Sequence, residues 1–198
     1  MELREAILRR RMVRAFHDRP VDPAVVERLL EHALHAPSAG FSQGWAFLVL
    51  TKPADRDRFW DAVFPDRRDR PFAHPGLFAA GCLIVPLSHK QAYLDRYAEP
   101  DKGWADGDQA RWPVPYWDLD TAMASMLILL TAVDEGLGAL FFGIFGDHAT
   151  AFRTAFGVPE AYTPIGAIAV GHRAPDVASP SLRRGRRGPE EVVHRGRW

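Results

Sequence analysis

The sequence predicts an α+β protein, in which a sheet is covered by helices, and three observations carry that expectation. Residues 45–50, 81–87 and 163–171 are apolar runs of strand length bounded by Gly, Pro or polar residues. Around them lie segments whose apolar residues recur with a 3.6-residue period, as at Val25, Val26, Leu29, Leu30, Ala33 and Leu34. The longest of these, from Asp118 or Asp120 to Glu135, is apolar almost all the way round, the pattern of a helix buried on most sides.

Taken in order, residues 2–11 read as a short helix with Leu3, Ala6 and Ile7 on one face and arginines at its end, where cations suit the helix dipole. Asp22 can cap the next helix with Pro23 at its first position, and Pro37 stops it. Ser38 to Gly44 then supply small side chains and exposable backbone N–H groups ahead of strand 45–50, which is apolar enough to be expected inside the sheet. A loop held between two anchored elements can present its donors to a ligand without first having to order. A helix from Asp55 to Phe64 follows, with Phe59, Trp60, Val63 and Phe64 inward, and the mixed charge run 65–71 reads as a solvated loop. After strand 81–87, Tyr93 to Tyr97 continue as a helical turn.

Residues 98–117 carry Trp104, Trp112, Tyr116 and Trp117 among prolines and glycines, with no periodicity. Two readings stand here, a lid whose Trp104 or Trp112 borders a substrate pocket, and an aromatic cover over a core edge or subunit contact. The helix that follows is either central or packed on a second copy of itself, and Gly136 ends it in the left-handed cap position. Residues 136–143 fail as a dinucleotide fingerprint, because their glycines follow a helix where the fingerprint follows a strand. They read instead as a cap, a buried strand, and a Gly143 that lets backbone approach a flat ligand. A helix at 147–156 closes on Gly157, and the last strand, 163–171, has Pro164 at its start, where a missing donor is tolerated.

The chain of 198 residues has room for one sizeable core, and its 25 basic and 25 acidic residues argue against a dedicated nucleic-acid or acidic-membrane binder. The arginine-rich C-terminus is the local exception; by composition alone it reads as disordered or as a nucleic-acid arm. The single Cys82 excludes an internal disulfide and sits in an apolar strand, as a buried structural thiol does. Charges at Glu2, Arg4 and Glu5, and the lack of an 18-residue apolar run, make a soluble cytoplasmic protein the expectation. His32 and His35 share a helix face without a third ligand in register, so no metal site is expected, and adjacent Ser88 and His89 point to opposite faces of a strand.

Four segments, in order, carry a more specific message: Arg10-Arg11-Met12-Val13-Arg14-Ala15-Phe16, Ala36-Pro37-Ser38-Ala39-Gly40-Phe41-Ser42-Gln43-Gly44-Trp45, Glu135-Gly136-Leu137-Gly138 and Arg184-Gly185-Arg186-Arg187-Gly188-Pro189 continuing to His194. Together they resemble the nitroreductase family of FMN-dependent oxidoreductases. The resemblance implies a central, mostly antiparallel sheet flanked by helices, one domain over 1–198 with 173–198 as a closing arm, and an intertwined homodimer with FMN at the interface; 98–117 stands within that domain as a lid or an insertion. It implies NAD(P)H as the electron source and a ping-pong hydride transfer through flavin N5 to nitroaromatic, quinone or enone acceptors, with no protein nucleophile, metal, nucleic acid or membrane partner.

By the same resemblance, Arg10, Arg11, Met12 and Arg14 form the N-terminal flavin segment, Arg14 lying near the ring positions that become anionic on reduction. Arg184 and Arg186 meet the phosphate, where guanidinium groups match phosphate oxygens in pairs. Pro37, Ser38, Ala39 and Gln43 belong to the loop lent by the partner subunit, and Phe142 and Gly143 to the strand end whose backbone meets N5. Phe41, Trp104 and Trp112 are the substrate-pocket candidates. The chain departs from the family at Met12, where many members have Ser, at Phe41, where many have Asn, and at Gly44, which replaces a usual Pro. The wording Gly40-Phe41-x-Gln43 is nearer to the 5,6-dimethylbenzimidazole synthase branch, which carries an acidic residue where this chain has Met12. A flavin or ligand binder without turnover is the third reading.

Overall fold

The computed structural model describes residues 1–69 and 71–198; Arg70, part of the charge run, lies outside the described residues. Strand β1 spans Trp45–Leu50, β2 Cys82–Ser88, β3 Gly138–Phe142, β4 Thr163–Pro164 and β5 Ala167–Gly171. They form one sheet in the order β1-β2-β5-β3, antiparallel at every pairing, with β4 also on β2. The sheet-and-helix class expected from the sequence is the class observed.

Each face of the sheet buries its own core, because side chains alternate along a strand. Leu83, Val85 and Leu87 of β2 and Ala167 and Ala169 of β5 join Phe59, Trp60 and Val63 of helix α3 (Pro53–Val63) and Phe152 of α6 (Asp147–Phe156). The alternate residues Cys82, Ile84, Ile168 and Val170 join Val26, Leu29 and Ala33 of α2 (Pro23–Leu34) and Ala124, Ile128, Leu129 and Ala132 of α5 (Tyr116–Asp134). Every residue of β2 is buried, as expected of a strand covered on both sides. β1 is different. It is an edge strand, half-buried except at Leu50, and this corrects the expectation that its apolar composition places it inside the sheet.

Further corrections follow from tertiary contacts. The strand expected over 163–171 is broken between β4 and β5 by Gly166, whose φ of 153° and close approach, a Cβ there lying 2.7 Å from the Phe142 carbonyl oxygen, leave no room for a side chain. The charge run folds as a 3-10 turn over Pro65–Arg68, and Arg67 is largely buried, pairing with Asp57 at 3.1 Å and Asp61 at 2.9 Å above the Phe78 ring. Helix α4 (Lys90–Ala98) extends the turn expected at Tyr93–Tyr97. Asp22 caps α2 as expected, accepting from the Ala24 N–H at 2.8 Å, and Gly136 and Gly157 close α5 and α6 with φ of 72° and 61°.

Neither Asp118 nor Asp120 caps α5, which begins earlier, at Tyr116. Asp118 accepts a hydrogen bond from the Ser88 hydroxyl at 2.6 Å, and Asp120 faces the core. The helix is not buried all round either. Its buried side carries Asp120, Thr121, Ser125 and Thr131 beside Ala124, Ile128 and Leu129, while Leu119, Met123 and Met126 are 41–46% exposed. By length and composition α5 could also cross a bilayer, an exception to the expectation that no such run exists, yet half of it is buried inside the molecule. Helix α1 spans Leu3–Arg9 with only Ala6 buried, so the Leu3 and Ile7 face is open.

Candidate functional site

The N-terminal basic segment leaves α1 at Arg10 and lies alongside the free edge of β3, where Met12 bridges Ala139 in parallel and the Val13 N–H donates to the Ala139 carbonyl at 3.0 Å. The C-terminal arm is tied to the same segment. Ala174 N–H donates to the Ala15 carbonyl at 3.0 Å, and the Arg14 N–H donates to Asp176 Oδ2 at 2.7 Å. From there a 3-10 turn over Pro180–Arg184 and a left-handed Gly185, φ 68°, bring the arm back toward Arg10.

Arg10, Arg11, Met12, Arg14, Ser179, Ser181, Leu182, Gly185 and Arg186 thereby line one cleft of about 580 Å³. Arginines from the two ends of the chain line the same cleft; Arg184 stands on the adjoining turn, outside the lining. The Arg11 guanidinium is engaged in capping α1, donating to the Leu8 carbonyl at 2.7 Å and the Arg10 carbonyl at 2.9 Å, and Arg14 Nη1 reaches the Met12 carbonyl at 3.3 Å. Arg10 Nη1 is buried and has no hydrogen-bond partner. A buried cationic donor left unpaired costs roughly 1–3 kcal/mol, a cost that a bound anion removes. The donor set, guanidinium groups with two serine hydroxyls, suits a phosphate and so fits FMN. Asp176, Ser179 and Ser181 were not legible as site residues, since nothing in their local sequence marks them.

The second candidate element is the loop from Pro37 to Gly44. Its 3-10 turn over Ala39–Phe41 contains a left-handed Gly40, φ 61°, and two further residues are left-handed without being glycine, Phe41 at 56° and Gln43 at 48°. Such backbone costs on the order of 1 kcal/mol or more per residue and persists only where surroundings impose it. Here they do. Ala39 N–H donates to Asp120 Oδ2 at 2.8 Å, Gln43 N–H donates to Ser38 Oγ at 3.0 Å, Ser42 Oγ donates to the Ala39 carbonyl at 2.6 Å, and Arg96 Nε donates to the Gly40 carbonyl at 2.9 Å. Tyr93, its phenol pushed up by burial and then by Asp120, stays protonated and donates to Asp120 at 2.8 Å. Phe41 points outward, 73% exposed.

A side chain at Gly44 would run into the Tyr93 ring and the His89 carbonyl. Trp104 and Trp112 pack on Tyr97 at 4.8 and 4.6 Å between ring centres and on each other at 5.5 Å, so the segment they belong to forms an aromatic cover over α4 and the start of α5. Tyr97 in turn lies under Gly40, where a Cβ would come within 2.6 Å of its ring. The Phe142 ring is a core group, stacked on Trp60 at 5.8 Å and 18°, which leaves only its backbone to meet a ligand. Gly143 abuts the ring of Phe145, itself 76% exposed. His32 Nδ1 pairs with Thr131 Oγ1 at 2.8 Å, His89 stacks on Tyr162, and among the described residues no group of three His, Cys, Asp or Glu could hold a metal.

An antiparallel sheet between two helical layers, with a basic cleft built from both chain ends, defines the class: an α+β protein with a site for an anionic ligand. The model of the nitroreductase family matches residues 7–172, and the chain belongs to that family. It is 26% identical over 186 residues to a provisionally named NADH dehydrogenase/NAD(P)H nitroreductase of Methanothermobacter thermautotrophicus, covering 92% of this chain and 83% of the relative. It is 25% identical over 175 residues to an NADPH-dependent oxidoreductase of Staphylococcus aureus, covering 86% of this chain and 65% of the relative. Among solved structures, a nitroreductase family protein of Clostridium difficile superposes over 100% of both chains with a TM-score of 0.72 at 21% identity. The NfrA1 nitroreductase of B. subtilis superposes over 98% of this chain and 74% of its own, TM-score 0.76 at 18% identity.

Proposed function

We propose that this nitroreductase-family oxidoreductase uses NAD(P)H and holds FMN by its phosphate in the cleft between Arg10, Arg14 and Arg186. The observation that carries the reading is the set of Arg10, Arg14, Arg186, Ser179 and Ser181 lining one cleft, with Arg10 Nη1 buried and without a hydrogen-bond partner. Bound there, FMN would supply two-electron chemistry at N5, taking a hydride from NAD(P)H and giving it to a nitroaromatic, quinone or enone acceptor in ping-pong order.

The residues of the chain do the rest by position and charge. Arg10 and Arg186 neutralise the phosphate, and Ser179 and Ser181 offer it hydroxyl donors. Arg14 lends a cation to negative charge that develops beyond the phosphate. The Ser38–Gln43 loop, pre-set by Asp120 and Arg96, offers backbone donors that need no ordering on binding.

Two copies of the chain make the site in this reading. Leu119, Met123 and Met126 of α5, Leu3, Ile7 and Leu8 of α1 and Leu34 of α2 are exposed in the single chain, and in this reading a second copy covers them.

Purified protein is expected to carry flavin absorbance that bleaches when NADH or NADPH is added under nitrogen, and returns with a quinone. Arg10→Ala and Arg186→Ala are each expected to weaken FMN binding by about tenfold or more, read by flavin fluorescence titration. A wild-type protein that takes up no FMN defeats the reading; one that binds FMN without bleaching leaves a binder instead of an enzyme.

A further inference from the structure

The loop at Ser38–Gln43 and the aromatic segment after α4 are far apart in sequence, yet one side chain holds both. Arg96, in the last turn of α4, donates from Nε to the Gly40 carbonyl at 2.9 Å. Its other two nitrogens grip Asp101, Nη1 to Oδ1 and Nη2 to Oδ2, both at 2.7 Å, with Glu99 also 3.2 Å from Nη1. A planar guanidinium that meets a carboxylate with two parallel bonds fixes direction as well as distance, and a lysine in its place could not do both jobs. A second contact runs beside the first. The Trp104 N–H donates to the Tyr97 carbonyl at 2.9 Å, the Tyr97 and Trp104 rings pack at 4.8 Å, and the other face of the contact is Gly40, which has no room for a Cβ against Tyr97.

Gly40 is therefore contacted from two directions by residues of α4 that also contact the 99–112 segment. It lies in the stretch of the loop where Gly40, Phe41 and Gln43 are left-handed, a conformation that relaxes unless it is imposed. We propose that Arg96 is a positioning residue which, through its clasp on Asp101, transmits the placement of the Trp104–Trp112 segment to the ligand-binding loop. The segment thus governs which acceptors the loop admits without having to touch them itself. This rests on the functional reading above only for the ligand. The coupling itself belongs to the chain, and the Arg96 guanidinium, by hydrogen bonding, holds the Asp101 carboxyl below the usual carboxylate range, so the clasp is charged at neutral pH.

Asp101→Asn separates the two parts, since it weakens the clasp and leaves the Arg96 bond to Gly40 chemically possible. Hydrogen exchange of the full-length protein, as purified, is read at two places. Exchange in peptides covering 99–112 is expected to rise, and exchange of the Ala39, Phe41 and Gln43 amides is expected to rise with it by about tenfold, with Asp101→Glu restoring both. If the 99–112 peptides loosen while residues 38–43 exchange at the wild-type rate, the proposal is overturned, and the same holds if neither region changes. In flavin-loaded protein, Asp101→Asn is expected to raise KM for a bulky quinone about fivefold or more relative to a small one, with kcat for the small quinone changed less than about twofold. Equal KM shifts for both would also overturn it. Failure of the wild-type protein to take up FMN counts against the functional reading and leaves the exchange test of the clasp intact.

Discussion

Asp120 shows how far a residue's role can lie from its local signal. Its sequence position suits a helix cap, yet it is buried inside α5, where one carboxylate oxygen accepts from both the Ala39 N–H and the Tyr93 hydroxyl. That pair of bonds joins the 38–43 loop to α4 and α5 at once, and no spacing rule in the sequence marks it. Cys82 was legible, because a lone cysteine in an unbroken apolar run has nowhere to go but the core. Burial pushes its thiol up from the ordinary 9.0 to about 12, with Arg56 pulling slightly the other way. Folded protein at pH 8 is therefore expected to resist iodoacetamide, and to react promptly once unfolded in urea. The sign for stability follows: below 9 both states keep the proton, and as pH rises from 9 toward 12 only the unfolded chain loses it. Stability is lost over that window, measurable as a falling urea midpoint.

At the scale of elements, period and caps located most of what folded. The Asp22-Pro23 start of α2 and the glycines closing α5 and α6 are local chemistry, decided by one or two residues, and they were readable for that reason. Where a neighbour decides, the sequence misleads. β1 is as apolar as an interior strand and sits at an edge, and the 163–171 strand breaks at Gly166, where Phe141 and Phe142 come too close for any residue with a Cβ. The two sides of α5 differ in the same way. Ile128 is completely buried against the sheet, and Ile128→Ala is expected to cost about 3 kcal/mol of stability in urea unfolding, the transfer of the missing atoms plus the cavity they leave.

At the scale of the whole molecule, α5 buries Asp120, Thr121, Ser125 and Thr131 beside Ala124, Ile128 and Leu129 and leaves Leu119, Met123 and Met126 exposed, the residues a second copy would cover in the proposed site. Met126 is 45% exposed in the single chain. Met126→Glu places a charge on that surface, and sedimentation is expected to show the wild-type chain at twice the chain mass and the variant at or near the chain mass, with flavin content falling alongside. A wild-type chain that sediments as a monomer while holding one FMN per chain rules out the shared site. The arginine cleft belongs to this scale too. Four ordered motifs announced the family and the convergence of the two chain ends, and the structure brings Arg10 and Arg186 to one cleft. What the motifs did not announce is the way the arm is fastened, through Asp176 to the Arg14 N–H, because a side chain to backbone bond spanning most of the chain leaves no periodic trace.

The sequence by itself determined the class of fold, the capped start of α2, the glycine stops of α5 and α6 and the burial of Cys82, because each follows from local propensity, apolar period or a cap signal. Tertiary structure alone decided which strand lies at the edge, which side of α5 is buried, what holds the left-handed loop, and that Arg96 ties that loop to the tryptophan segment. Those depend on which surfaces come together in space, and a contact between distant residues is fixed by the packing of everything between them rather than by the residues on either side.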